Sequence, residues 1–97
     1  MHESDVVVID VRTEREYQAG YIEGAINLPH KSILKDPSLL EAYLDKEMIF
    51  YCHSGVRAKV ITDYLIKNGD NNKSLKLFHL KGDMRAWRAR KLPIVTD

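Results

Sequence analysis

Six consecutive residues, Cys52-His53-Ser54-Gly55-Val56-Arg57, bring together the sole cysteine of the chain, a hydroxyl, a glycine and a guanidinium. That combination suits nucleophilic chemistry at sulfur. The attacking species is the thiolate, and both amide donors and a nearby cation favour the ionised form. The flanking residues indicate where the amides come from: Met48-Ile49-Phe50-Tyr51 is an apolar run that reads as a buried strand. From Ala58 onward, Ala58, Ile61 and Tyr64 or Leu65 recur at helical spacing. Cys52 is therefore predicted at a strand end, facing the first turn of a helix whose opening amides lack intrahelical partners and carry the positive end of the helix dipole. With Arg57 close by, a substantial thiolate fraction at neutral pH is expected. A lone cysteine is most often a small buried hydrophobe. Ser54, Gly55 and Arg57 are not what such a position requires.

The spacing of Cys52, Gly55 and Arg57 after an apolar strand resembles the active loop of the rhodanese-like sulfurtransferases. Two further stretches carry the same resemblance. Asp10-Val11-Arg12, Glu16-Tyr17 and Gly20-Tyr21-Ile22-Glu23-Gly24-Ala25-Ile26-Asn27-Leu28-Pro29 look like the upstream signature of that family, and Leu80-Lys81-Gly82-Asp83-Met84-Arg85-Ala86-Trp87 with Pro93 looks like its closing segment. Together they span Val6 to Pro93 in the family's order. The resemblance implies one rhodanese-like domain over residues 1–97, a three-layer α/β fold with a mainly parallel sheet of four to five strands and helices on both faces. It implies an enzyme that moves a sulfane sulfur from thiosulfate or a similar small anionic donor, through a Cys52 persulfide, to cyanide, a thiol or a sulfur-accepting protein. In that scheme Cys52 is the nucleophile, and the amides of His53, Ser54, Gly55, Val56, Arg57 and Ala58 stabilise developing negative charge. Arg57 attracts the donor, and Asp10, Arg12 and Glu16 form a supporting network under the loop.

The sequence departs from the family pattern twice. Tyr21 stands where a histidine is common and reads as a packing variant. Asp83 follows Gly82 where a second glycine is common, so a side chain occupies a place of close backbone approach. An acid pointing inward there would lower the positive potential of the loop.

Two other functions compete. The related fold hosts cysteine-dependent phosphatases and arsenate reductases, whose loop is one residue longer between cysteine and arginine. One residue is up to about 3.5 Å of contour, enough to decide whether a tetrahedral oxyanion fits over the thiolate, and the shorter Cys52–Arg57 spacing favours sulfur. A non-catalytic rhodanese-like module that recruits or regulates a partner is the other alternative, and the intact Cys52 and Arg57 argue against it.

The rest of the chain must position this loop. Ninety-seven residues with 44 % hydrophobic and 30 % charged content suit a single globular domain. A formal net charge of +1 gives no electrostatic case for nucleic acid or an anionic membrane as partner. Met1 to Asp5 lacks the charged start and apolar core of a signal peptide, so a cytoplasmic location is expected. His2, His30, His53 and His79 show no ligand spacing, so no metal or other cofactor is expected.

Val6-Val7-Val8-Ile9 reads as a central strand covered on both faces. Thr13 and Glu16 fit a capping box opening a short helix to Ala19, stopped at Gly20, and Glu16 is equally placed to pair with Arg12. Residues Gly20 to Pro29 read as turn, brief strand and turn. Asp36-Pro37-Ser38 starts a helix with Leu39, Leu40, Tyr43 and Leu44 on its apolar face. Gly69 closes the helix after the loop, and Asp70 to Ser74 is a surface connection. Leu75, Leu77 and Phe78 give another strand, and a last helix turns Met84 and Trp87 inward.

Overall fold

The β-branched run Val6–Asp10 forms strand β1 at the heart of the sheet in a computed structural model that describes residues 6–68 and 76–96. Its neighbours are β2 (Ile26–Asn27), β3 (Glu47–Tyr51) and β4 (Lys76–His79), in the order β2-β1-β3-β4, and every pairing is parallel. Parallel neighbours need a crossover between them, so each connection lays a helix or turn across one face of the sheet. The helices are α1 (Glu14–Gln18), α2 (His30–Lys35), α3 (Val56–Asn68) and α4 (Asp83–Ala89), with a 3-10 helix over Pro37–Tyr43.

Strand alternation divides the apolar residues between two layers. Ile9, Met48 and Phe50 point to one side and pack with Ile33 of α2, Leu40 of the 3-10 helix, and Ala58, Ile61 and Leu65 of α3. Val8 and Tyr51 point to the other and meet Tyr17 of α1, Ile22 and Ala25, and Met84 and Trp87 of α4. Each fully buried large aliphatic or aromatic side chain contributes about 1.5 to 3 kcal/mol. Both layers thus hold the sheet, and the expected three-layer α/β architecture is what the chain adopts.

Local signals account for most boundaries. At α1 the Thr13 hydroxyl accepts from the Glu16 amide at 3.2 Å and the Glu16 carboxylate accepts from the Thr13 amide at 3.1 Å, the reciprocal capping read from the sequence. Tyr21 stacks on Tyr17 with centroids 4.0 Å apart and exchanges backbone bonds with Val95, in line with a packing role. Trp87 packs into the second layer and donates its indole N–H to the Pro93 carbonyl at 2.7 Å.

Two elements differ from expectation. Helix α2 has no counterpart in the sequence reading, because six residues with one buried apolar side chain, Ile33, carry no visible period. The segment after Asp36 is a 3-10 helix instead of an α-helix. The Asp36 carboxylate accepts from the Ser38 amide, and threefold winding keeps Leu40 and Tyr43 inward while Leu39 is exposed. Strand β4 forms where expected, with Leu77 packed inward and Phe78 exposed. The expected stop at Gly69, the connection Asp70–Ser74, and Leu75 lie outside the described residues.

Candidate active site

Cys52 follows the last residue of β3, and α3 begins four residues later, so the loop sits at the carboxyl edge of the sheet where ligands bind in open α/β folds. The cysteine is buried, 1 % exposed, and its side chain adjoins the apolar layer under α3. It is not purely hydrocarbon-lined: the Gly55 amide donates to Sγ at 3.0 Å. Gly55 takes φ +101°, and a Cβ there would stand 2.9 Å from an Asp83 oxygen and 3.2 Å from the His79 ring. Any other residue would meet both backbone strain and a collision at this place. His53, Ser54 and Val56 are exposed at the mouth, whereas Ala58 is fully buried and faces the core.

Of the amides expected to ring the sulfur, from His53 to Ala58, the Gly55 amide meets Sγ directly. The Lys59 amide goes to the Gly55 carbonyl at 2.9 Å in the ordinary helical way. Helix α4 supplies the outer support: the Met84 and Arg85 amides donate to the Cys52 and His53 carbonyls, both at 2.9 Å. These are first-turn amides of α4 with no partner inside their own helix, so the loop caps α4 while α4 fixes the loop. The Cys52 amide is bound from the same side, donating to Asp83 Oδ1 at 2.9 Å. Asp83 is buried, holds φ +53°, and has both oxygens 2.9 Å from His79 Nε2.

The residues expected to form one supporting network separate into two. Asp10 and Arg12 are a buried pair, joined through Nε and Nη2, with the closest approach 2.7 Å. Burial works against the Arg12 charge, but the hydrogen bond and charge of Asp10 outweigh it and hold the guanidinium above its usual range. Arg12 also donates to the Gly20 carbonyl at 2.7 Å and lies 5.8 Å from the Tyr51 ring centroid, a cation–π distance. Tyr51 itself is raised above the usual phenol range by burial first and by Asp10 next, and its oxygen accepts from the Ile22 amide at 3.2 Å.

Glu16 does not pair with Arg12. It meets Arg57 through both oxygens, at 2.6 and 2.9 Å, while keeping its capping bonds to Thr13. The Arg57 hydrogen bond draws the Glu16 carboxyl down to about 2 against the opposing effect of burial. Arg57 is raised in turn, by the Glu16 hydrogen bond first, with burial opposing and the Cys52 side chain adding a smaller contribution. His30, at the start of α2, is lowered by burial and then by the Arg57 charge.

A model of the rhodanese-like domain matches residues 1–90. The chain belongs to the rhodanese-like domain family. Among solved structures, a rhodanese-related protein from Thermoplasma volcanium superposes with a TM-score of 0.80 at 26 % identity, covering 97 % of this chain and 87 % of that one. A thiosulfate sulfurtransferase from Pseudomonas aeruginosa shares the fold, with a TM-score of 0.77 at 21 % identity over 95 % of this chain and 17 % of its own. Among curated relatives, tRNA uridine(34) hydroxylase of Salmonella typhimurium is 29 % identical over 97 % of this chain. The chain spans about 28 % of that relative's length.

Within this rhodanese-like loop, sequence reasoning did not foresee that Asp83 bonds both to His79 and to the Cys52 amide, or that α4 holds two loop carbonyls. The signal for the first was Asp83 itself, an acid at an expected glycine. His79, read only as the end of a strand, gave none. Among the described residues no helix is long and apolar enough to cross a membrane.

Proposed function

We propose that this domain is a sulfurtransferase that carries sulfur as a Cys52 persulfide. The observation that supports this most directly is the Gly55 amide directed at Sγ within a loop that ends, four intervening residues later, at Arg57. With thiosulfate as donor, the Cys52 thiolate attacks the outer sulfur. The S–S bond of the donor breaks, sulfite leaves with the bonding pair, and Cys52–S–S⁻ remains. Cyanide or a thiolate then attacks the terminal sulfur and regenerates the Cys52 thiolate, giving two half-reactions with ping-pong kinetics.

The Gly55 amide donates to the sulfur that changes charge, and preorganised donors contribute most at such atoms. Arg57 draws the anionic donor to the loop, its reach set by the Glu16 carboxylate. Asp10 and Arg12 act at a distance, by fixing the end of β1 and the Gly20 turn. No cofactor enters the scheme. The partners on this reading are a small sulfur donor and a thiol, cyanide or sulfur-accepting protein, and a reducing compartment such as the cytoplasm suits a lone reactive thiol.

Intact mass spectrometry after incubation with thiosulfate or another sulfane donor tests the reading. A gain of one sulfur, removed by cyanide and absent in Cys52→Ala, is the expected result. A folded protein that gains no sulfur from any donor is a binding module instead. A second reading rests on the relatives: alignment of nearly the whole chain with 28 % of a tRNA uridine(34) hydroxylase suits a module serving a larger tRNA-modifying protein. Binding of the domain to a tRNA anticodon stem-loop, measured by anisotropy, is its test.

A further inference from the structure

The charges that touch the loop do not add up to a positive site. Arg57 brings one positive charge, but Glu16 holds it through two oxygens at 2.6 and 2.9 Å. Asp83 then adds a second carboxylate. It is 3 % exposed, accepts the Cys52 amide at 2.9 Å, and stands against the Gly55 backbone. The Cys52 N–H, which would otherwise be free to face an anion, is thereby committed. His79 offsets Asp83 only when its ring is protonated. Of the other described cations nearby, Arg12 is paired with Asp10 and Lys59 with Asp63 at 2.7 Å, while Arg85, whose amide meets the His53 carbonyl, is exposed on the first turn of α4.

Asp83 also occupies its position against the backbone preference. A non-glycine residue at φ +53° is uncommon, with Asp and Asn the side chains that tolerate it best. A glycine there would hold the same turn without strain but would leave the buried Cys52 amide without its acceptor. The carboxylate is thus a built part of the loop, bonded to the amide of the residue that carries the reacting sulfur.

We infer that Asp83 is a specificity-determining residue that selects a singly charged sulfane donor, of the R–S–S⁻ or R–SO₂–S⁻ kind, over the dianion thiosulfate. The inference rests on Cys52 being the sulfur-carrying nucleophile and narrows the substrate of that same site. With a thiosulfonate, the Cys52 thiolate attacks the terminal sulfur of R–SO₂–S⁻. The S–S bond breaks, R–SO₂⁻ leaves with the electron pair, and Cys52–S–S⁻ forms. With a persulfide, RS⁻ is the leaving group and takes the pair in the same way, the second negative charge of thiosulfate being absent in both. Like charges brought together at a cleft are disfavoured on approach and in the bound state, so the dianion meets both Asp83 and Glu16, with Arg57 already held by Glu16 and Arg85 facing solvent.

Methanethiosulfonate replaces one charged oxygen of thiosulfate by a methyl group and keeps the rest of its shape. The test compares kcat/KM for methanethiosulfonate, 2-hydroxyethyl persulfide and thiosulfate, with cyanide as acceptor, in the wild type and in Asp83→Asn. Asn tolerates the left-handed φ and retains an oxygen for the Cys52 amide, so the variant removes charge and keeps the turn. The wild type is expected to prefer a singly charged donor, methanethiosulfonate or the persulfide according to which kind it takes. Asp83→Asn is expected to raise kcat/KM for thiosulfate roughly tenfold, at the low end of charge effects at a cleft, with a smaller change for the singly charged donors. An equal or better use of thiosulfate by the wild type, or a donor ratio unchanged in Asp83→Asn, overturns the selection. Absence of any sulfur gain on Cys52 by intact mass with all three donors overturns the persulfide reading itself. That result is distinct from an unchanged ratio. Asp83→Gly, with no φ strain, serves as the second variant and is expected to shift the ratio in the same direction.

Discussion

Arg12 and Arg57 each meet a carboxylate through two nitrogens, yet the surroundings of the two pairs differ. Arg12 and Asp10 are two residues apart, 4 % and 0 % exposed, and stitched to the Gly20 carbonyl. Arg57 and Glu16 are 41 residues apart, 26 % and 37 % exposed, and join the start of α1 to the start of α3 beside the cysteine loop. The same chemical pair therefore serves as a fixed strut in one place and as an adjustable charge in the other. Removing one partner of a buried pair strands a charge away from water, whereas water screens whatever remains of the half-exposed pair.

The sharpest way to break this comparison is Asp10→Ala, which leaves the Arg12 guanidinium buried and uncompensated. A loss of about 3 to 5 kcal/mol in urea unfolding is expected, and a loss no larger than that of Glu16→Ala would erase the distinction. Arg57→Ala comes next and acts on a different quantity: about 1 kcal/mol or less of stability but a drop of roughly tenfold or more in kcat/KM for anionic sulfur donors. Unchanged kinetics in that variant would remove Arg57 from the site.

The smallest effect is the pH dependence of the Glu16–Arg57 pair. Glu16 is depressed from 4.5 to about 2 in the folded chain, so its stabilising contribution is complete above the ordinary value and is lost as pH falls through about 2. Because more than a third of the side chain is exposed, screening keeps that contribution at about 1 kcal/mol or less. Glu16→Gln should therefore lie slightly below the wild type in urea midpoint near neutrality and converge with it toward about pH 2. A gap that does not change with pH would assign the role of Glu16 to capping by a neutral oxygen.

The two pairs also mark what was legible in the chain. Asp10 and Arg12 are near neighbours after a clear strand, and the family resemblance implied a common support for them. Glu16 carried two open readings, and the partner it takes, Arg57, lies 41 residues away. No local pattern encodes such a pairing, which depends on β1 and β3 standing side by side. The strands β1 and β3 and the helix α3 were visible because their apolar periods are long and unbroken. Helix α2 was not, since Ile33 alone anchors its buried side.

Asp83 is an intermediate case. Its identity flagged the departure, but only the fold shows that its carboxylate reaches back to the Cys52 amide. Likewise, the outer support from α4 was not legible, because it arises from first-turn amides of α4 meeting acceptors that the loop carbonyls provide.

That outer support has a consequence for the order in which the chain matures. Every pairing among the described strands is parallel, so β1 must wait for β3, and the loop after β3 must wait for residues 83–85 before its carbonyls and the Cys52 amide are all bound. Contacts this distant in sequence form late in folding. The thiol is consequently synthesised well before the segment that shelters it, and a partly folded chain presents to oxidants a sulfur that the finished domain keeps buried.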